Sequence, residues 1–496
     1  MFHIASAARM LACLALTAIC LTTPATPAHA ADCDPVVPVA GDINCDGRAD
    51  WAVGIPTMSS NRGAVEWRLG EDDFGTITTS SLGLGAGVAG ERFGASVVID
   101  DTNNDGYADL IIGAPGYMGH GTVYLAYGSA TGIVSAGARR IAMPGIASSV
   151  DPRFGTSVGL VRHSGTVQRL LVGAPGWDKN ADSETAMITD VGAVFATNLS
   201  TTGTVGVWAQ YGQGSSAEDE AGDKFGAPLY VRGKTFIVGA AYENVGSVVN
   251  AGQATVTRLE WATDHWYTRW TTNLHQNTAL VPGSNAKSDH FGAAVTIGTN
   301  GPTYDYVVGI PDKNIGSDSN TGAVVRFYLN DTTGALASAN RYHQDSAGVP
   351  GTNEDNDRFG AAVASGYDWW NERPLLFVGA PGEDVGSKNS AGAVTLLRGT
   401  PTVSGLALRQ GDRLGGTAEA GDKVGATLAL LPDDQEEDSV DGIVVGAPGE
   451  NVGSVVDAGY VMLDHSVLSF NFTGYPALPG SVLTGLKFGS VLGYAK

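Results

Sequence analysis

Short apolar runs recur along nearly the whole chain, each closed by a glycine-rich break. The most regular set is DLIIGAP (109–115), RLLVGAP (169–175), TFIVGAA (235–241), YVVGIP (306–311) and LLFVGAP (375–381). Runs this short and this uniformly apolar predict buried strands. A second set of apolar runs follows the pair Phe-Gly. A third includes GTVYLAYG, GAVFATNL, GQATVTRL, GAVVRFYL, GAVTLLRG and GYVMLDHS, and a variable fourth segment such as WYTRWTTNL (266–274) completes each unit. No unit holds a helical period between its strands, which excludes an α/β reading.

The units are spaced like repeats. Phe-Gly stands at 93, 154, 225, 291, 359 and 488, with Val424-Gly425 in the remaining slot, at intervals of 61 to 71 residues. A Gly-Ala-Pro marker or a near variant begins at Gly54, Gly113, Gly173, Gly239, Gly309, Gly379 and Gly446. Four short antiparallel strands per unit, repeated seven times, predict an all-β fold: a seven-bladed β-propeller of four-stranded antiparallel blades. The last unit, FGSVLGYAK (488–496), breaks off where the second continues from FGASVVIDD (93–101), and the first begins at Asp42 without a Phe-Gly. The C-terminal strand is therefore expected to complete the N-terminal blade and close the ring.

Composition refines this picture. Glycine, at 69 residues, has about twice its usual share, as many tight turns require. Arg9, the apolar run 10–21 and the small-residue site AHA (28–30) predict a secretory signal peptide over 1–30, followed by a tail over 31–40 and the propeller over 41–496. Neither Cys13 nor Cys20 sits in a lipobox, and no later stretch is apolar for long enough to span a membrane. The mature chain is expected to be secreted, soluble and monomeric. Its formal charge, −22 overall and −23 once Arg9 has left with the leader, argues against nucleic-acid binding and favours cations or basic partners. Cys33 and Cys45 remain in the mature chain and are expected to form one disulfide, worth about 2–3 kcal/mol for so short a loop.

These markers resemble FG-GAP repeats, the units of the integrin alpha-chain N-terminal propeller and of many secreted bacterial proteins, and the resemblance covers essentially all of 41–496. It implies a seven-bladed propeller, calcium in some loops between first and second strands, and a role in adhesion or ligand binding. The likeness to integrins is one of module rather than of receptor.

Two loops carry candidate chemistry. DINCDGRAD (42–50) and DTNNDGYAD (101–109) share the pattern D-x-N-x-D-G-x-x-D at the same blade position. Calcium takes about six to eight oxygen ligands, and alternate side chains of a tight loop can converge on one point. Asp42, Asn44, Asp46, Asp50 and the Arg48 carbonyl would form one Ca2+ site; Asp101, Asn103, Asp105, Asp109 and the Tyr107 carbonyl would form the second. The alternative is a pair of Asx-turns without metal. Asp305 keeps the last acid of the pattern alone, and PDDQEEDSVD (432–441) is acidic but out of spacing. A bond from Cys33 to Cys45 would pin the tail beside the first loop.

Other features weigh less. The loops 241–252, 311–322, 381–392 and 448–459 share one pattern and form either a partner-binding face or a stereotyped turn. GTSVG (155–159) lies in a strand-strand unit, not at a nucleophile elbow, and GAGVAG (85–90) opens no helix. The histidines show no paired ligand spacing, and His290 fills the basic slot before a Phe-Gly. Trp261, Trp266, Trp270, Trp369 and Trp370 either stack on sugars or pack between strands. The sequence therefore points to a calcium-binding adhesion or ligand-binding module for an extracellular protein or glycan. A hydrolase or lyase at the central channel and a structural envelope protein remain as alternatives.

Overall fold

In the computed structural model the apolar runs form strands in seven sheets. The structure describes residues 39–70, 73–144, 151–164, 167–180, 187–200, 205–212, 219–301, 303–432, 440–464, 473–476, 487 and 490–495. The leader over 1–30, Cys33, His465, Phe488 and most of the acidic stretch 432–441 lie outside them.

Blade 2 shows the plan. Ser96–Asp100, Asp109–Ala114, Thr122–Tyr127 and Val134–Ala142 pair antiparallel in chain order. Its second strand is buried throughout, whereas the fourth, with Arg139 and Arg140, is largely exposed. Blades 3 to 7 repeat this order. Among the described residues, the one added ribbon pairs Lys179–Asn180 with Met187–Ile188 between the second and third strands of blade 3.

First strands pack on first strands from each blade to the next, all the way round, which sets them about the axis. In blade 1 the first strand is Val491–Leu492, antiparallel to Trp51–Ile55, with Val53 opposite Leu492 and Gly54 opposite Val491. The ring closes as the repeat predicts. The chain then runs one step further than the repeat requires, since Tyr494–Ala495 adds in parallel to Ser96–Asp100 of blade 2.

The core lies between blades rather than at one centre. Seven apolar clusters each draw on two neighbouring blades, and the one joining Val53 and Trp51 to Val444 and Leu463 seals blade 7 to blade 1. Phe93, Phe154, Phe225, Phe291 and Phe359 are fully buried in these layers, and Val424 takes the same place between blades 6 and 7. Each such side chain contributes about 1.5–3 kcal/mol of apolar burial.

The two repeated markers touch each other. A Cβ on Gly113 would sit 2.0 Å from the carbonyl oxygen of Gly155 in the next blade, and one on Gly54 would sit 1.9 Å from that of Gly94. The same meeting recurs for Gly173 with Gly226, Gly239 with Gly292, Gly309 with Gly360 and Gly379 with Gly425. The glycine of one blade's Gly-Ala-Pro is thus the seat for the next blade's Phe-Gly, which is why both markers repeat with one period.

Candidate functional site

In an antiparallel meander alternate connections fall at opposite ends of the sheet. The first-to-second connections, with both acidic loops, lie on one face of the ring; the second-to-third and fourth-to-first connections build the other.

The two acidic loops fold alike. In the first, Asp42 accepts from the N–H groups of Asp46 (3.1 Å) and Gly47 (2.8 Å), and Asp46 accepts from Arg48 N–H (3.0 Å) and Asn44 Nδ2 (3.2 Å). In the second, Asp101 accepts from Asn104 N–H (2.6 Å) and Gly106 N–H (3.0 Å), and Asp105 from Tyr107 N–H (3.0 Å) and Asn103 Nδ2 (2.8 Å). These are Asx-turns, with Gly47 and Gly106 at positive φ supplying the bend. The first three members of each set gather round one turn.

The fourth member does something the spacing does not reveal. Asp50 is buried and accepts from Ile43 N–H (2.8 Å) and from Gly70 N–H (3.1 Å), beyond the third strand. Asp109 repeats this with Thr102 N–H (2.9 Å), the Thr102 hydroxyl and Gly128 N–H (2.9 Å). Each acid therefore clamps its loop to the turn after the third strand. Among the described residues no group of three or more His, Cys, Asp and Glu side chains is arranged to hold a metal ion.

The electrostatics of the loops is only partly relieved. Burial pushes the Asp50 carboxyl up to about 8, its N–H partners pull it back, and the Asp42 and Asp46 charges push it further up. Burial likewise raises Asp109 to about 7 and holds Asp42 and Asp101 above the usual carboxylate range. In the second loop Arg162, from blade 3, offsets part of this by pairing with Asp100 and donating to the Asp101 carbonyl.

Residues 93–135, from Phe93 into the fourth strand of blade 2, match the FG-GAP repeat. The ring fits an integrin alpha-like FG-GAP propeller. The matched segment includes the whole second acidic loop.

On the opposite face the four alike loops are one rigid turn. Each carries a small antiparallel bridge, Val245 with Val248, Ile315 with Asp318, Val385 with Lys388 and Val452 with Val455. In each, an Asn or Asp side chain accepts from an N–H six residues on, as Asn244 does from Asn250 (2.8 Å) and Asn314 from Asn320 (2.8 Å). Trp266 and Trp270 are buried, and Trp270 Nε1 donates to the Asp331 carbonyl of the next blade (2.9 Å), so these two pack. Trp369 and Trp370 are exposed at the blade 6 turn on the acidic-loop face. Ser157 of GTSVG donates to the Gly226 carbonyl (2.7 Å) as an inter-blade stitch, and GAGVAG lies in turns and bends.

Proposed function

We propose that this FG-GAP propeller is a secreted ligand-binding module of the adhesion type, which engages an extracellular protein or glycan on the face opposite the acidic loops. The carrying observation is the placing of exposed apolar side chains. Of eleven large exposed hydrophobic residues among the described ones, seven stand on that face: Val88, Met118, Met187, Tyr242, Val249, Leu280 and Val456. Exposed apolar points on a rigid polar frame are what a binding surface uses for its hot spots. A surface-protein panel and a glycan array test this. Tyr242→Ser combined with Val456→Ser is expected to abolish capture and Trp370→Ser to leave it intact; the reverse would refute the choice of face.

The proposal includes two Ca2+ ions on the acidic-loop face. The donor sets suit a hard cation: Asp42, Asn44, Asp46, Asp50 and the Arg48 carbonyl in one loop, Asp101, Asn103, Asp105, Asp109 and the Tyr107 carbonyl in the other are all oxygen donors. Crowded, desolvated carboxylates gain most from such a charge. Bound calcium would neutralise both loops and brace blades 1 and 2, and a Cys33–Cys45 disulfide would tie the tail to the first. Elemental analysis of residues 31–496 is expected to count two calcium ions, with a melting temperature that falls on chelation. No calcium and no shift would remove the metal from this reading.

A further inference from the structure

One slot of the repeat is unlike the rest. The residue before Phe-Gly, or before Val-Gly in blade 7, is basic in every blade: Arg92, Arg153, Lys224, His290, Arg358, Lys423 and Lys487. All seven adopt positive φ, between 53° and 60°. A side chain there carries a steric penalty, and the default occupants are Gly, Asn and Asp. The slot two residues earlier has the same left-handed backbone and is filled by Gly90, Asp151, Gly222, Ser288, Asn356 and Gly421, mostly of those types. The turn itself therefore accepts Gly or Asn, and a basic side chain in the slot before Phe-Gly answers a different demand.

Pairing within the protein does not account for it. Asp312 takes both His290 (2.6 Å) and Arg358 (3.2 Å), and Arg153 pairs with Asp151 (3.2 Å), both about half exposed. Among the described residues Arg92, Lys224, Lys423 and Lys487 form no ion pair, although Lys224 Nζ lies 4.4 Å from the ring centre of Tyr242. Arg92, Arg153 and Lys224 line one cleft of about 360 Å³ on the face opposite the acidic loops, together with Ala95, Thr156 and Ala227. Among the described residues Asp151 is the single acid on its wall. Three cations against one acid form a positive spot on a chain of net charge −22. Such a concave spot focuses the field on one compact anion.

We propose that this cleft binds an anionic group of monosaccharide size, a sulfate or phosphate ester on a sugar, through Arg92, Arg153 and Lys224. The volume lies at the small-molecule end of ligand sites. The small side chains at Ala95, Thr156 and Ala227 leave room for a polar body, and guanidinium forks from two blades suit a tetrahedral oxyanion. The charge is concentrated in the cleft, because Asp312 engages His290 and Arg358 of blades 5 and 6 while Lys423 and Lys487 lie outside it; a concave site of this size favours a compact ester over an acidic polypeptide. The inference rests on the proposed ligand face and specifies what part of it recognises.

The test is calorimetric titration of residues 31–496 with a sulfated disaccharide, its desulfated form, a sugar phosphate and an acidic peptide. Asn is the replacement of choice because it tolerates positive φ, and unchanged thermal unfolding certifies each fold. The sulfated or the phosphorylated sugar is expected to bind, the stronger of the two identifying the ester, with affinity falling as salt rises. Arg92→Asn, Arg153→Asn and Lys224→Asn are each expected to weaken it about tenfold. Lys423→Asn, in the same slot but outside the cleft, is expected to change nothing. Equal binding of the desulfated sugar, preference for the peptide, equal loss in Lys423→Asn, or no binding of either ester by the unaltered chain would overturn the proposal. If the Asn variants of the cleft still capture a protein or neutral glycan that Tyr242→Ser/Val456→Ser loses, the anion site fails while the ligand face stands.

Discussion

In blades 2 and 5 the same rung of the sheet carries a buried aspartate, Asp109 opposite Asp100 and Asp305 opposite Gly298. Blade 2 satisfies its acid with main-chain donors, the Thr102 N–H from an eight-residue loop rich in further acids and the Gly128 N–H from the turn after the third strand. Blade 5 has no such loop; its first and second strands run on to Asn300 and Thr303. There Arg326 of the third strand, fully buried like Asp305, pairs with it through Nε and spends Nη2 on Ser365 Oγ and the Leu375 carbonyl (both 3.1 Å). Gly298 makes the space, since a Cβ on it would lie 2.2 Å from Ser365 Oγ. One frame thus houses a buried acid in two ways. The arginine version meets the acid with a single counter-charge, on Asp305 Oδ2, while the loop version keeps additional carboxylates in reserve.

The most damaging way to break this comparison is to remove one half of the blade 5 pair. Arg326→Leu leaves Asp305 buried without its counter-charge and is expected to cost about 3–5 kcal/mol in denaturant unfolding. Asp305→Leu added to Arg326→Leu is expected to recover most of that loss, because an apolar pair replaces an ion pair at little expense. A double variant as unstable as the single would show that Arg326 acts through its other contacts. In blade 2, Asp109→Ala strands two N–H groups and a hydroxyl, and the expected loss is smaller, about 2–3 kcal/mol. Chelator is expected to shift the melting temperature of Arg326→Leu as it does the parent, and that of Asp109→Ala less.

The difference between the blades shows how far the sequence could be read. Blade number, strand order and ring closure were legible because the glycines that seat Phe-Gly recur with one period, and backbone contact leaves no alternative residue. The Asx-turns of Asp42, Asn44 and Asp46 and of Asp101, Asn103 and Asp105 were legible because these side chains act on their own turn. Asp50 and Asp109 were placed in the right loops, but their reach to Gly70 and Gly128, about twenty residues on, depends on the third strand returning beside them. Arg326 was not singled out at all, since an arginine inside GAVVRFYL carries no local sign of the acid it meets across the sheet. The parallel pairing of Tyr494–Ala495 lies outside the repeat and so outside any period.

A milder contrast sets blade 5 against blade 7. Lys313 meets the buried Asp289 at 2.8 Å, whereas the matching position in blade 7 is Glu450, beside the buried Asp422. Burial, then the charges of Asp422 and Glu419, raises Glu450 to about 7, and burial with Glu419 raises Asp422 to about 6. Both values exceed those of the unfolded chain, so the folded state favours the protonated forms. Their stabilising contribution is full below about pH 4 and is lost as the pH rises through about 6 to 7. The melting temperature is expected to fall between about pH 5 and pH 8 and to fall less in Glu450→Gln. An unchanged slope in that variant would place the pH dependence elsewhere.

The smallest expected effect is the most specific. Asp105 is exposed and among the described residues holds only Tyr107 N–H and Asn103 Nδ2, so Asp105→Ala without calcium is expected to cost about 0.5–1 kcal/mol, the worth of one turn bond. With calcium present the same change is expected to lower the metal count from two to one and to remove a large part of the calcium-dependent rise in melting temperature. Asp46→Ala is expected to do the same through the other loop. The interpretable quantity is the difference between the two conditions, because the turn is lost in both and the metal in only one. If Asp105→Ala costs the same with and without calcium, the second loop is an Asx-turn alone, and its reserve carboxylates have no more chemical work than the single acid that Arg326 holds in blade 5.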